Sequence, residues 1–273
     1  MNSGELKMTE IIQKSGMGSS AVQIGVQNNI GLSVNDAVQM AVNLFMENFQ
    51  KFEKRAREIA DERIKEMVPV IVEKIYKKGC LTEQILSDPG MQYILLKGQS
   101  DYVRYGNSET LNVLGDLVAE RAVSTAHDYS KIIFDEAIEK VGSLNKEHLN
   151  FMTLIFLTKH VGWATVLGVD ELSKLYEQIL SDFPVPNNIK DCTVYLIMRN
   201  LLNLRLGDAF QEISKRYNYP IEQVKEKLPK ILECVPGDYG LSPVGMVLAV
   251  VNFNSRYHTL NVDEYVEGKI DKI

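Results

Sequence analysis

The sequence has few cysteines and no excess of basic residues, and each shortage excludes a class of protein. The three cysteines are an odd number at wide spacing, so they predict neither a disulfide framework nor a zinc cluster and fit a reducing compartment. The 30 basic residues against 36 acidic ones give a formal net charge of -6. Duplex-binding proteins carry a basic surface, so this negative net charge argues against nucleic acid as the main partner.

The sequence also predicts neither a membrane span nor a targeting segment. The apolar segment nearest to a span, residues 149–169, carries Lys159 and His160 at its middle. A charged residue at mid-bilayer costs about 2.5–3.5 kcal/mol on insertion scales, so a buried helix followed by a turn is the better prediction. Residues 1–20 are polar and contain no apolar signal-peptide core. We therefore expect a cytoplasmic protein without a membrane span.

Motifs for catalysis and metal binding are not found. No HExxH, GxSxG, SxxK or CxxC motif occurs. Gly16 and Gly18 form a GxG pattern, but it precedes the predicted strand, whereas a nucleotide-binding loop follows one. No i, i+4 pair exists among the histidines, which are His127, His148, His160 and His258. We predict no catalytic residue, no cofactor and no metal site, and favour a protein that is not an enzyme.

One N-terminal segment has the period of two that is typical of a strand. Its alternating apolar and polar positions are Val22, Gln23, Ile24, Gly25, Val26 and Gln27. A single strand leaves its backbone N–H and C=O groups without partners, and disorder would leave three β-branched side chains in water. We therefore expect the segment to pair with the same segment of another chain, with packing on the chain's own helices and disorder as alternatives.

A long helix is predicted directly after the strand, beginning at Ser33. Its apolar residues alternate spacings of four and three, which is a coiled-coil seam of about three heptads. The seam positions are Val38, Val42, Phe45, Phe49, Phe52, Ala56 and Ile59. We assign Phe45, Phe49 and Phe52 to an oligomer interface together with the strand, although a helix buried in a monomer carries the same stripe. Pro69 predicts a kink or a new first turn further along.

The rest of the chain has helical spacing, so the predicted fold class is mainly α, a multi-helix bundle with one N-terminal β-strand. Helix starts are marked by Asp88-Pro89, by Ser108 or Asn107, by Asn145 and by Ser242-Pro243. The predicted organisation is a flexible tail over 1–19, a strand segment over 20–32, a helical domain over 33–183, a linker over 184–188 and a C-terminal helical module over 189–273.

The C-terminal module has the spacing of a small helical or winged-helix-like unit. Residues 192–206 have helical spacing, and residues 195–206 followed by 208–217 fit the two helices of a helix-turn-helix. Basic and acidic residues are equal in number from Lys190 to Lys272, so contacts with protein are expected rather than contacts with DNA. Two alternatives stay open: a DNA-binding regulator acting through residues 189–260, and a hydrolase or nuclease whose site is assembled from dispersed residues.

The segment from Gly18 to Ile30 reads Gly-Ser-Ser-Ala-Val-Gln-Ile-Gly-Val-Gln-Asn-Asn-Ile. It resembles a leader of bacterial conflict and defence-associated proteins, roughly Gly-x-Asn-Ser-x-x-Ile-Gln-x-x-x-Asn-Ile, with Ser19 in place of the usual Asn. The remainder, including 88–93 and 241–245, is similar to an uncharacterised bacterial family of mostly helical proteins. That family has no established catalytic residues. The resemblance implies an accessory role in anti-phage defence, and we expect a homo-oligomeric interaction or sensor protein.

Overall fold

The computed structural model of this chain describes residues 34–124, 128–163, 168–204, 209–229, 235, 239–257, 260–262 and 265. Within those residues, eleven α-helices and two short strands form the fold, and the predicted mainly α class is confirmed. The predicted tail and strand segment, with the interface positions from Val22 to Gln27, lie outside the described residues. None of the described helices is both long enough and apolar enough to cross a bilayer.

The elements follow one another with short connections. In chain order they are α1 (Val34–Lys77), α2 (Glu83–Ser87), α3 (Pro89–Tyr105), α4 (Ser108–Val123), α5 (Asp128–Val141), α6 (Lys146–Lys159), α7 (Val169–Asp182), α8 (Ile189–Met198), β1 (Leu202–Leu204), α9 (Ala209–Tyr217), α10 (Ile221–Lys227), β2 (Tyr239–Leu241) and α11 (Pro243–Tyr257).

The chain divides into two compact units, Met1–Arg55 and Ala56–Ile273, and the division falls inside α1. The predicted linker, residues 184–188, joins α7 to α8 within the second unit, and Pro186 is buried there. The domain boundary proposed at that linker stays a prediction. Helix α1 is continuous through Pro69, so this proline does not start a separate helix.

Side-chain caps begin the helices where the sequence predicts them. The Asp88 carboxylate accepts a hydrogen bond from the Met91 N–H at 2.8 Å and precedes the proline that opens α3. Asn107 caps α4 in the same way. Asn145 and His148 form a reciprocal capping box at the start of α6, in which each side chain accepts from the other residue's N–H.

The centre of the core is the pair α6 and α11. Every residue of α6 from Leu149 to Lys159 is buried, and so is every residue of α11 from Val244 to Phe253. Polar groups between the two helices bond to each other: the Asn252 Nδ2 donates to the Thr153 Oγ1 at 2.9 Å, and that hydroxyl lies 3.1 Å from the Ala249 carbonyl. Buried polar groups that are paired in this way fix the register of two apolar helices.

The predicted helix over residues 192–206 is wrong in its second half, because α8 ends at Met198. Asn200 has a left-handed backbone with φ 55°, which turns the chain out of the helix. Strand β1 follows and pairs antiparallel with β2, with Leu202 opposite Leu241. The strands were not predicted, since three residues are too few to show a period.

The helix-turn-helix also lies further along the chain than the sequence predicts. Helices α9 and α10 are joined by residues 218–220, and Asn218 has φ 55° there. In chain order the paired strands β1 and β2 lie on either side of α9 and α10, and the winged-helix-like module stays a prediction.

Candidate interaction helix and candidate pocket

The middle of α1, residues 53–59, is exposed on every side. All seven residues are exposed, and seven consecutive residues cover about two turns of helix, so no face of this stretch is buried. We name residues 53–59 the bare stretch of α1.

Two of the predicted seam positions, Ala56 and Ile59, lie in the bare stretch. Ile59 is 38% exposed, and Val68 and Val72 further along the helix are 46% and 40% exposed. The other seam positions lie on the α1 backbone, so their helical state is confirmed, while their side chains lie outside the described residues. The assignment of Phe45, Phe49 and Phe52 to an oligomer interface stays a prediction.

The environment of α1 changes at Arg63, where the helix begins to pack on the rest of its own unit. The Arg63 Nη1 donates to the carbonyls of Val103 and Arg104 at the end of α3, the second at 3.2 Å. A cation is favoured there, because the last carbonyls of a helix carry partial negative charge. Gly106 ends α3 with φ 61°, and a Cβ on it would lie 2.3 Å from the Arg63 Cζ.

The following turns of α1 bury one face and use the flanking charges. Met67, Ile71 and Ile75 are buried, and Ile75 is fully covered. The Lys74 ammonium lies 2.8 Å from the Asp116 carboxylate of α4, and Lys78 makes the same kind of pair with Glu120. We name residues 63–78, which are the last turns of α1 and the residue after it, the docked stretch.

The hydroxyl of Tyr102 joins the docked stretch to α3. It donates to the Glu66 carboxylate at 3.2 Å, and the Tyr102 side chain is buried. Burial and the neighbouring Glu66 carboxylate both raise the pKa of this phenol, because both disfavour the phenolate. The protonated hydroxyl is therefore the stable form of this contact.

A pocket of about 340 Å³ lies at the start of α3. It is near the lower end of the size range of small-molecule sites. The residues that line it come from α2, α3, the end of α4 and α5, and they are Gln84, Ile85, Asp88, Gly90, Met91, Arg121, Ala122, Ser124 and Lys131.

Arg121 is the charged centre of this pocket, and two carboxylates already bind it. Its Nε donates to the Asp135 Oδ1 at 3.0 Å, and its Nη1 lies 3.6 Å from the Asp88 Oδ1. A Cβ on Gly90 would lie 2.8 Å from the Arg121 Nη2, so the guanidinium fills the space beside the helix start. The arrangement ties α3, α4 and α5 together, and we assign Arg121 a structural role.

The thiols and the described histidines do not form a reactive group. Burial raises the pKa of Cys80, and burial raises the pKa of Cys192 to about 12, so both thiols stay protonated near neutral pH. His148 stacks on Tyr195 with ring centroids 4.6 Å apart and serves as a capping residue. Within the described residues, no group of three or more His, Cys, Asp or Glu side chains has the arrangement of a metal site.

Sequence reasoning missed three basic residues that bind backbone carbonyls. Besides Arg63, the buried Lys159 donates to the Tyr239 carbonyl, and the Arg216 Nη1 donates to the Thr158 and Val161 carbonyls at 3.0 and 2.7 Å. One signal was present for Lys159, since a lysine inside an apolar run is either in a membrane or buried in a protein. Nothing in the sequence indicates the partners of the two arginines.

A protein-family model whose description states no activity matches residues 31–218, well over half of the chain. The chain belongs to this uncharacterised family. The family region contains α1 with its bare and docked stretches, and it contains the Arg121 pocket; α10, β2 and α11 follow it. No curated protein and no solved structure matches the chain.

Proposed function

We propose that this member of the family is a non-enzymatic, homo-oligomeric interaction protein, and that the apolar seam of α1, residues 38–59, holds its copies together. The observation that supports the proposal is the exposure of the seam residues Ala56 and Ile59 on a helix that has no buried face there. Burying apolar surface stabilises by about 25 cal/mol per Å², so a second copy that covers the seam would stabilise both helices.

The finer parts of this proposal have separate supports. The role in bacterial anti-phage defence depends on the resemblance of residues 18–30 to a known leader. A cytoplasmic location is supported by the three widely spaced cysteines, which predict no disulfide framework. The strand at residues 22–27 is proposed as a second contact between copies, next to the seam.

The proposal is tested by light scattering after size exclusion of the full chain and of Ile59→Lys. We expect an oligomer for the full chain and a shift towards monomer for the variant, because a charge on the seam must be desolvated. Glu58→Gln is the matched control, since it changes the net charge by the same +1, by removing a carboxylate one residue away from the seam. A monomeric full chain at tens of micromolar, or an Ile59→Lys variant that assembles as the parent does, overturns the proposal.

The strand contact is tested separately with Ile24→Lys and with a chain that lacks residues 1–31. We expect Ile24→Lys to reduce assembly and leave helicity unchanged, and Ile24→Val to have little effect because it keeps β-branching. Unchanged assembly in Ile24→Lys would remove the strand from the interface and leave the seam as the contact.

A DNA-binding regulator is the second candidate, and the helix-turn-helix α9 and α10 favours it. The exposed side chains of α10 are mixed in charge, with Glu222 and Glu226 beside Lys225 and Lys227. Lys227 pairs with Asp170 of α7 at 3.2 Å, which turns one of these cations towards protein. Duplex DNA retention that falls steeply between 50 and 200 mM salt, on the order of a hundredfold, would favour the regulator.

A further inference from the structure

The pocket at the start of α3 has two cations and one carboxylate among its lining side chains. The cations are Arg121 in the last turn of α4 and Lys131 of α5, and the carboxylate is Asp88. The lining is therefore positive, although the chain as a whole carries a net charge of -6. A concave site lined by one sign of charge raises the local concentration of ligands of the opposite sign, so this pocket favours an anion.

Most of the hydrogen-bonding capacity of Arg121 is unused within the described residues. A guanidinium has five N–H donors, and the structure pairs one of them, on the Nε, with the Asp135 Oδ1 at 3.0 Å. The Asp88 Oδ1 lies 3.6 Å from the Nη1, which is an ion-pair distance and too long for a hydrogen bond. The side chain is only 11% exposed, yet both terminal nitrogens remain in contact with solvent. Arg121 therefore offers terminal N–H groups to a ligand in the pocket that it lines.

Lys131 is the second cation of the pocket, and it also lacks a partner in the part of the chain that the structure describes. Its side chain is half-buried and makes no ion pair there, whereas Lys140 on the same helix pairs with Glu136 at 3.2 Å. Two like charges that line one pocket repel each other, and an anion bound to both removes this repulsion.

The size and the lining of the pocket indicate the class of anion. Its volume of about 340 Å³ is larger than a phosphate ion and leaves room for a small organic group. The uncharged lining is both apolar and polar, from Ile85, Met91, Ala122, Gln84 and Ser124. Arginine binds phosphate oxygens through two parallel N–H groups and lysine binds them as a point charge, so this pair of cations suits a phosphate group.

We propose that this pocket binds a phosphate group, free or carried by a small molecule, between the terminal nitrogens of Arg121 and the ammonium of Lys131. Asp88 remains the cap of α3, because its Oδ1 accepts from the Met91 N–H at 2.8 Å. Its carboxylate limits the affinity, since it lines the same pocket and repels the phosphate. The site is independent of the seam, because no lining residue belongs to α1.

Thermal unfolding of the full chain in inorganic phosphate, with chloride at equal ionic strength as the reference, tests the site. A ligand that binds only the folded chain raises the unfolding midpoint in proportion to its affinity. We expect Lys131→Gln to weaken phosphate binding about tenfold and to leave the midpoint in chloride unchanged, because it removes a charged donor that no described residue uses. Lys174→Gln is the matched control, since it removes the same charge from an exposed position on α7 and should bind phosphate as the parent does.

The opposite result is expected from Asp88→Asn. Asparagine caps a helix about as well as aspartate, so the start of α3 is retained while the repulsion in the pocket is removed. Phosphate should bind about fivefold more tightly to this variant, as expected for one unit charge near the ligand in water. Glu177→Gln on α7 makes the same change in net charge at an exposed position outside the pocket and should leave the binding unchanged.

Two further probes identify the source of the phosphate group. Tighter binding of glycerol phosphate than of inorganic phosphate assigns the site to a phosphate ester, and equal binding assigns it to free phosphate. Acetate that stabilises the chain as much as phosphate does overturns the assignment to phosphate. Phosphate that stabilises the parent no more than chloride does, or that stabilises Lys131→Gln and Asp88→Asn as much as the parent, overturns the site and leaves the proposed function standing.

Discussion

The bare and docked stretches of α1 belong to one helix, and they have opposite surroundings. Both carry apolar residues at helical spacing and both are rich in charge. In the docked stretch, Arg63, Lys74 and Lys78 reach α3 and α4, and Ile75 is fully buried between them. In the bare stretch, Ile59 at an equivalent apolar position is exposed. An apolar stripe therefore indicates that burying that face of the helix is favourable. It does not indicate whether the same chain or another chain buries it.

The largest expected loss of stability comes from a substitution in the docked stretch. Ile75→Ala should lower the free energy of unfolding by about 2–5 kcal/mol, because it removes buried methyl groups and leaves a cavity. Urea unfolding followed by circular dichroism measures it. A cost below about 1 kcal/mol would mean that the docked stretch is not packed as described.

The next effect tests the arginine that begins the docked stretch. Gly106→Ala should cost about 1–3 kcal/mol, because a left-handed backbone is strained with a Cβ and this Cβ would displace Arg63. Gly79→Ala is the matched control: its φ is also positive, at 71°, but nothing lies within 4 Å of the added carbon. Equal losses in the two variants would show that Arg63 adds nothing at the end of α3.

Alkaline pH should lower the free energy of unfolding by weakening the Tyr102 contact of the docked stretch. The pKa of Tyr102 is raised in the folded protein, so its contribution is complete below the ordinary phenol value of 10 and is lost as pH rises through the higher folded value. Unfolding curves between pH 9 and 11 should therefore show a smaller loss in Tyr102→Phe than in the parent. If the parent and Tyr102→Phe lose the same free energy of unfolding over this pH range, the Tyr102 hydroxyl does not contribute as described.

A smaller effect is expected for the ion pair that flanks the docked stretch. The Lys74 and Asp116 side chains are 22% and 20% exposed, so the pair should contribute about 1 kcal/mol or less. A double-mutant cycle of Lys74→Ala and Asp116→Ala measures the coupling, which should shrink in high salt. A coupling that salt leaves unchanged would argue that the pair is shielded from solvent.

The smallest effect on the fold is expected from Ile59→Ala in the bare stretch. At concentrations where the monomer dominates, it should change the free energy of unfolding by no more than about 0.5 kcal/mol, because 38% of the side chain is already exposed to solvent. The same substitution should weaken assembly at higher concentration. A loss close to that of Ile75→Ala in the monomer would contradict the difference between the two stretches.

Local signals in the sequence predicted the helices well and the sheet badly. Capping residues such as Asp88, Asn107 and Asn145 act within three residues, so the starts of α3, α4 and α6 could be located. Strand β1 pairs with a segment more than thirty residues away, and its existence depends on that partner. The early end of α8 had no signal beyond Asn200, a residue that tolerates φ above zero.

The candidate site was predicted only in part, for the same reason. The seam from Val38 to Ile59 is visible as a repeat, and the structure confirms the helix that carries it. Its C-terminal limit was not predictable, because Arg63 differs from other arginines only in lying beside the end of α3. The contact of Tyr102 with Glu66 joins residues far apart in sequence and left no local pattern.

The sequence alone determined that this chain is mainly helical, where most helices begin, and that α1 carries a repeated apolar stripe, since caps and periodicity act over a few residues. Tertiary structure alone decided which part of that stripe is covered by the chain itself. Burial depends on which side chains meet in space, and for Ile75 and Ile59 the sequence supplies the same residue with opposite outcomes.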